Sequence, residues 1–322
     1  MNRRALIFGI SGQDGAYLTE FLLRQGYVVA GTSRDAELSS FQNLQKLGVR
    51  DQVSLSSASL SDFRSVMQAI KLTEPDEIYN LSGQSSVGLS FSQPMETMES
   101  IVTATLNILE AIRFLNPGIR FYNAGSSECY GHTGTQPANE ETPFRPRSPY
   151  ATAKAAAHWA VANYRDAYGL YACSGILFNH ESPLRPARFV TRKIISGAAR
   201  IASGREKGPL MLGNLNIARD WGWAGEYVDV IWRMLQAEQP KDYVVATGRS
   251  WTLSEFVAEA FSAFGLDWRE HVHHDPALVR PSDIVYSAGD PSRAEQELDW
   301  KAKVLMPEVV RRMADAEKQK GA

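Results

Sequence analysis

Cysteine is scarce: the 322 residues include two, Cys129 and Cys173. Two thiols exclude a disulfide framework, and they suit a reducing compartment. Long apolar runs are missing as well; no stretch approaches the roughly 20 apolar residues of a membrane-spanning helix. The opening "MNRRALIFGI" is basic and then apolar. Its apolar run breaks at "SGQDG" after about six residues, short of the roughly 7–15 of a secretory h-region. The expectation is a cytoplasmic protein with no membrane partner. Neither sign of charge is in excess. Lys and Arg total 34 against 36 Asp and Glu, for a formal net charge of -2. That balance sets up no field for nucleic acid. Internal repeats and low-complexity tracts are also absent.

What the chain does have is enough apolar residues for a core, at 44% hydrophobic, and a length that suggests about two domains. Its apolar residues follow a regular rhythm. "RALIF" reads as a buried strand, "YLTEFLLRQGY" as a helix stopping at Gly26, and "YVVAGTS" as a second strand. "DFRSVMQAIKLTEP" reads as a helix, "EIYNLSG" as a strand and "TMESIVTATLNILEAIRFLNPG" as one long helix. "RFYNAGS", a Ser-Pro-opened helix from Ser148 to Gly169, and "YACSGILF" follow. Strands alternating with helices predict an α/β fold of Rossmann type, a doubly wound parallel sheet with helices on both faces. The rhythm loosens after residue 178 and returns at about 220–248 in "EYVDVIWRMLQAEQ" and "DYVVATG". A dinucleotide-binding domain is therefore expected over 1–178, re-entered by about 220–248. A smaller C-terminal substrate-binding domain is expected over 179–322.

"GISGQDG" places Gly9, Gly12 and Gly15 between the first strand and the first helix. Glycines there let the backbone approach a diphosphate, which the helix N-terminus then attracts. After the second strand comes "TSRDAE", with Arg34 beside Asp35. An Arg suits the 2′-phosphate of NADP and an acid suits the ribose hydroxyl of NAD. NADP is the expectation and NAD stays open. Tyr150 and Lys154 stand at i, i+4 on one helix. A phenol titrates near 10, so a nearby ammonium and a charged nicotinamide ring are needed to make it a base. "GSSECYG" ends the fourth strand with Ser126, Ser127 and Glu128. A serine there suits a substrate hydroxyl, and Glu128 is either a surface acid or a general base aimed into a cleft.

Together these motifs resemble the extended short-chain dehydrogenase/reductase family. The longer strings "GISGQDGAYL", "YNLSGQSSVGLSF", "SSECYG", "PFRPRSPYATAKAAAHW", "LGNLNIARDWG" and "DYVVATG" resemble its GDP-mannose 4,6-dehydratase branch, from about residue 4 to about residue 300. The resemblance implies a catalytic set of Ser126, Glu128, Tyr150 and Lys154. Tyr150 takes the proton of the sugar 4-hydroxyl, Glu128 acts as the elimination base, and Lys154 orients the nicotinamide ribose and holds Tyr150 anionic. It implies cofactor contacts from Gly9, Gly12, Gln13, Asp14, Gly15, Arg34, Leu81 and Ser85, with Tyr150 and Lys154. It implies substrate contacts from Ser86, Asn179, Arg185, Val190, Lys193, Arg219, Arg280 and Asp283, with Arg219 and Arg280 clamping the diphosphate of a GDP sugar. It further implies a homodimer or homotetramer.

The chain also departs from the family's pattern. Ser126 matches a Thr, and Asp283 stands for a Glu. Ser59 takes the place of an Asp near the adenine, Asp35 that of a second Arg, and Arg188 that of an acid. Other residues take bland readings. "HVHHD" (His271 to Asp275) reads as an exposed stretch with no metal, Cys129 as a packed small side chain, and His180 as satisfying backbone groups. Trp221 and Trp223 read as core. The rival readings are a dehydratase, reductase or epimerase for another nucleotide sugar, and a cofactor-binding module without catalysis. Glu128 argues against plain reductases and epimerases, and the intact Tyr150–Lys154 pair against the module.

Overall fold

The structure is a computed structural model that describes residues 2–134, 136–279 and 282–321. Its strands are β1 (Arg4–Phe8), β2 (Val28–Ser33), β3 (Ser54–Ser57), β4 (Glu77–Asn80), β5 (Arg120–Ala124) and β6 (Ala172–Leu177). They continue as β7 (Asn179–Glu181), β8 (Leu210–Leu212), β9 (Ala218–Trp223), β10 (Tyr243–Val245), β11 (Ser250–Thr252) and β12 (Val272–His274). Seven of them form one parallel sheet in the order β10-β6-β5-β4-β1-β2-β3. The α/β Rossmann-type expectation is met.

Side-chain alternation along β1 explains the double winding. Ala5 and Ile7 point into one core with the helices Gln13–Arg24 and Ala224–Met234. Leu6 and Phe8 point into the other, with Phe63–Thr73 and Ala104–Leu115. The strand β1 is therefore buried on both faces, as the central strands of a parallel sheet are. The chain winds from β1 through β2 to β3, then crosses back to β4 on β1's other side. That reversal opens a crevice beyond the carboxyl ends of β1 and β4, where Phe8 pairs with both Thr32 and Asn80.

Two elements differ from the sequence reading. The strand β3 was not expected, because "SLSS" has little β-forming character. It forms as an edge strand whose register is supplied by β2, with Ala30 opposite Ser54. The long helix after residue 97 is divided: Pro94–Met98 is followed by a π-type turn over Glu99–Thr103 and then Ala104–Leu115.

Beyond the sheet's carboxyl edge, β11-β9-β7 and β12-β8 form two small sheets. They pack with the helices Val190–Ala202, Leu253–Ser262 and Met306–Gly321 around Ile194, Trp221, Phe256, Val309 and Met313. Only Phe178 separates β6 from β7, so the large sheet runs directly into the small one. Asp220 on β9 ties the two together by accepting the Thr247 N–H, 3.0 Å from each carboxylate oxygen. No helix among the described residues is long and apolar enough to cross a membrane.

Candidate active site

A cleft of about 360 Å³ lies between the carboxyl edge of the large sheet and the smaller sheets. The glycine turn lies behind its wall, with Asp14 facing the cleft. Gly9 has φ of +86°, and a Cβ there would lie 2.8 Å from the Leu81 carbonyl oxygen. At Gly15 a Cβ would come within 2.5 Å of the Gly9 oxygen. The turn closes with the Gly12 N–H donating to the Gly9 oxygen at 3.1 Å, and the helix Gln13–Arg24 starts at once. Backbone rather than side chain forms this surface, which fits a dinucleotide's diphosphate.

The first turn of that helix is wired to β7. Gln13 Nε2 donates to the His180 oxygen at 3.1 Å, and Ser182 Oγ donates to Gln13 Oε1 at 2.8 Å. Asp14 lies 2.9 Å from His180 Nε2, and His180 Nδ1 lies 2.8 Å from the Phe178 oxygen. Carbonyl and carboxylate oxygens only accept, so both ring nitrogens must donate and His180 is an imidazolium. The charges agree. Burial pushes the Asp14 carboxyl up, but His180 outweighs it and holds the group at about 2. Burial pushes His180 down, and Asp14 more than restores it, above the ordinary imidazole value. The bland reading of His180 is corrected: it meets a backbone carbonyl, but also a carboxylate on the cofactor side.

The catalytic candidates converge on the opposite wall. β5 ends at Ala124, and Ser126 caps the short turn Ser127–Tyr130 by accepting the Glu128 N–H at 3.3 Å. This cap aims Glu128 into the cleft. Tyr150 lies in the first turn of the helix Pro149–Tyr168, which Ser148 caps through the Ala151 N–H at 3.1 Å. Lys154 is one turn further on, with Nζ donating to the Ala124 oxygen at 2.8 Å and lying 5.9 Å from the Tyr150 ring centre. Burial lowers Lys154 to about 8, against the pull of Cys129 and Asp14. Burial also raises the Tyr150 phenol, and its hydrogen bond with Ser126 and the charge of Arg185 only partly oppose this. Lys154 alone therefore does not make Tyr150 anionic; its ammonium is committed to a carbonyl. Cys129 is buried, donates to the Ala151 oxygen at 3.6 Å, and is pushed up to about 12 by burial, as a packed thiol should be.

Of the residues expected to meet substrate, Ser86, Asn179, Arg185, Val190, Lys193, Arg219 and Asp283 line the cleft, and so does Ser85, expected to meet the cofactor. Arg219 is buried, donates to the Ile284 oxygen at 2.6 Å and pairs with Asp283 at 3.3 Å. Lys193 Nζ donates to the Met211 oxygen at 2.7 Å. Arg280 lies outside the described residues. Leu81 and Asp14 also face the cleft, whereas Gly9, Gly12, Gln13 and Gly15 shape the turn behind its wall. Arg34 lies apart, strongly exposed just past β2 and 4.0 Å from Glu96. Asp35 accepts the N–H groups of Glu37 and Leu38 at 3.0 and 2.9 Å, so its carboxylate is occupied by its own loop.

Sequence reasoning missed several lining residues. Phe189 supports the Arg185 guanidinium 4.0 Å from its ring centre. Thr191 fixes Glu181 with a 2.7 Å hydrogen bond. Trp221 is core, as expected, yet also forms cleft wall, as do Leu212 and Leu253. No local motif marks these residues; the packing of β7, β8 and β9 brings them in. The histidines of "HVHHD" hold no metal-like cluster among the described residues: His273 and His274 are exposed on β12, and His271 stacks on Phe261.

Known proteins resemble this chain over nearly its whole length. A family profile described as GDP-mannose 4,6 dehydratase matches residues 6–313. GDP-mannose 4,6 dehydratase 1 of Arabidopsis thaliana is 47% identical over 321 residues, covering 97% of this chain and 88% of that protein. The GDP-mannose 4,6-dehydratase of Vibrio cholerae serotype O1 is 42% identical over 349 residues, covering 97% and 93%. The UDP-glucose 4-epimerase of Thermus thermophilus, in complex with NAD, superposes with a TM-score of 0.86 at 26% identity, covering 98% of this chain and 99% of that one. RMD from Pseudomonas aeruginosa, complexed with NADPH, shares the fold with a TM-score of 0.83 at 20% identity, covering 99% and 100%.

Proposed function

Because the chain belongs to the GDP-mannose 4,6-dehydratase family, we propose that this cleft, with Ser126, Glu128, Tyr150 and Lys154 as its catalytic set, carries out the family reaction. The enzyme is a lyase that converts GDP-mannose to GDP-4-keto-6-deoxymannose, with internal hydride transfer and loss of water. It works with a nicotinamide cofactor. The observation that carries the assignment of roles is the convergence of Glu128 and Tyr150 on one cleft.

When bound, an oxidised nicotinamide would supply an acceptor for the C4 hydride, a donor of that hydride to C6, and positive charge beside the Tyr150 phenol. Tyr150, activated by that charge and its Ser126 hydrogen bond, receives the proton of the 4-hydroxyl. The C4 ketone acidifies the C5 hydrogen. Glu128 removes that proton and passes it to the departing C6 hydroxyl, so water leaves; as the hydride arrives at C6, C5 takes up the proton that Tyr150 received from the 4-hydroxyl, and no net proton is consumed. Lys154 holds the end of β5 through Ala124 and would meet the nicotinamide ribose. The glycine turn with Gln13, Asp14, Leu81 and Ser85 holds the dinucleotide. Ser86, Asn179, Arg185, Val190, Lys193, Arg219, Arg280 and Asp283 hold the nucleotide sugar.

NADP is the preferred cofactor in this reading. Asp35 is engaged by its own loop, which leaves the exposed Arg34 as the charge for a 2′-phosphate. Residues 1–178 with about 220–248 serve the cofactor, and the rest of 179–322 serves the sugar nucleotide. Two buried free thiols suit the reducing cytoplasm. Exposed Trp159 and Phe114, on neighbouring helices, support a homo-oligomer.

The deciding experiment incubates purified protein with GDP-mannose and no added cofactor, then weighs the product. Loss of one water with a new ketone is the expected result. No loss of water with NADP or NAD added would remove GDP-mannose as substrate.

A further inference from the structure

Five Lys and Arg side chains line the cleft among the described residues: Lys154, Arg185, Arg188, Lys193 and Arg219. Four are held by oxygen acceptors that bear full or partial negative charge. Lys154 donates to the Ala124 carbonyl, and Lys193 to that of Met211. Arg185 pairs with Glu181 at 3.2 Å, and Arg219 pairs with Asp283. Arg188 differs. Its contacts among the described residues are a long, 3.4 Å hydrogen bond to the neutral Ser85 hydroxyl and the Phe189 ring, 5.4 Å from its centre. It is exposed at the cleft mouth, where it bridges two lips: the segment 183–189 and the segment after β4 that carries Ser85.

An arginine fork that meets only a neutral hydroxyl keeps most of its five donors for an incoming anion. The Phe189 ring also supports Arg185, so one ring carries both guanidinia, 5.4 Å and 4.0 Å from its centre. Like charges so placed repel unless an anion joins them, and Glu181 compensates only Arg185. A diphosphate matches this pair, since each fork can take two of its oxygens. Two diphosphates could reach the cleft, one from the cofactor and one from the sugar nucleotide. The cofactor's is served by the glycine turn and the helix that starts at Gln13. Arg188 instead adjoins the helix Val190–Ala202, whose Val190 and Lys193 line the other side.

We propose that Arg188 is a substrate-binding residue that closes over the diphosphate of the nucleotide sugar and draws the Ser85 lip towards the 183–189 lip. The proposal rests on the family reading of the site. It assigns to this chain a diphosphate contact that the motif-based substrate set lacks.

The test is calorimetric titration of the holoenzyme with GDP, guanosine and, on cofactor-stripped protein, NADP. Arg188→Gln should weaken GDP about tenfold, the scale of a charge-assisted hydrogen bond, and leave guanosine and NADP unchanged. Arg188→Lys should recover part of the loss, and the gap between wild type and Arg188→Gln should shrink at high salt. Equal loss for guanosine and GDP would overturn the proposal by making Arg188 a base-pocket or structural residue. Loss confined to NADP would overturn it in favour of the cofactor's diphosphate. If wild-type enzyme binds GDP and Arg188→Gln binds it equally well, the proposal fails alone. A wild-type enzyme indifferent to GDP would sink the family reading of the cleft, and the proposal with it.

Discussion

Glu128 and Tyr150 reach the cleft by different routes, and their substitutions should fail differently. Glu128 is carried on a short turn capped by Ser126, so Glu128→Gln keeps the shape and removes the base. Turnover should fall about 100-fold or more, with GDP affinity retained in titration and reduced nicotinamide detectable by absorbance during turnover. The proposed mechanism leaves the 4-hydroxyl proton of Tyr150→Phe without an acceptor, so the same absorbance should stay flat. The Asp14–His180 pair makes a separate prediction, about pH. His180 is raised by Asp14, so its contribution to stability is complete below the ordinary imidazole value of 6.5 and is lost as pH rises through its folded value. Asp14 is depressed to about 2, so its share is present above the ordinary 3.8 and lost only towards pH 2. The thermal midpoint should therefore decline as pH rises above 6.5. In Asp14→Asn, where burial leaves His180 neutral, that decline should flatten. Parallel melting curves for the two proteins from pH 6 to pH 9 would remove the pair from the site's electrostatics.

Among the elements, the turn from β1 into the helix Gln13–Arg24 is the most constrained. Gly9→Ala adds both an unfavourable φ of +86° and a methyl group 2.8 Å from the Leu81 oxygen, which is backbone and cannot rotate away. Gly48→Ala, at φ of +69° with open space around it, meets only the conformational term. Gly48→Ala should cost about 1 kcal/mol. Gly9→Ala should cost about 2–4 kcal/mol and strip the protein of nicotinamide. Denaturant melts and cofactor extracted from the purified variants check both; equal costs would mean that the Leu81 contact does not matter. The divided helix over 94–115 is a second lesson at this scale. Its apolar spacing reads as one continuous helix, but Pro94 sets where it starts, and the π-type turn at Glu99–Thr103 shifts the faces that follow.

Over the whole molecule, two of the exposed aromatics fall on adjoining helices. Trp159 is 62% exposed on the helix that carries Tyr150 and Lys154, and Phe114 is 76% exposed on the helix beside it. Large aromatics on two packed helices suit contact with a second copy. Trp159→Glu should therefore move the protein to a smaller species in light scattering while its circular dichroism stays the same. An unchanged mass would place the interface elsewhere. Any such contact would bear on catalysis, because the Pro149–Tyr168 helix has its inner face against β6 and its first turn in the cleft.

The sequence alone determined the sheet's alternation, the glycine turn, the Tyr150–Lys154 spacing and the acid at Glu128. Each of these is local: a period, a backbone conformation, or a spacing of one helical turn. It also picked out residues that line the cleft, among them Asn179, Arg219 and Asp283, but not what each one meets. Tertiary structure decided that Arg219 faces Asp283, that Asp35 is engaged by its own loop, and that His180 is charged by Asp14 from 166 positions away. It also made a strand of the serine-rich β3, through pairing with β2. The reason is physical. The charge state of a buried group depends on burial and on partners brought close by other elements, and neither leaves a pattern in the neighbouring sequence.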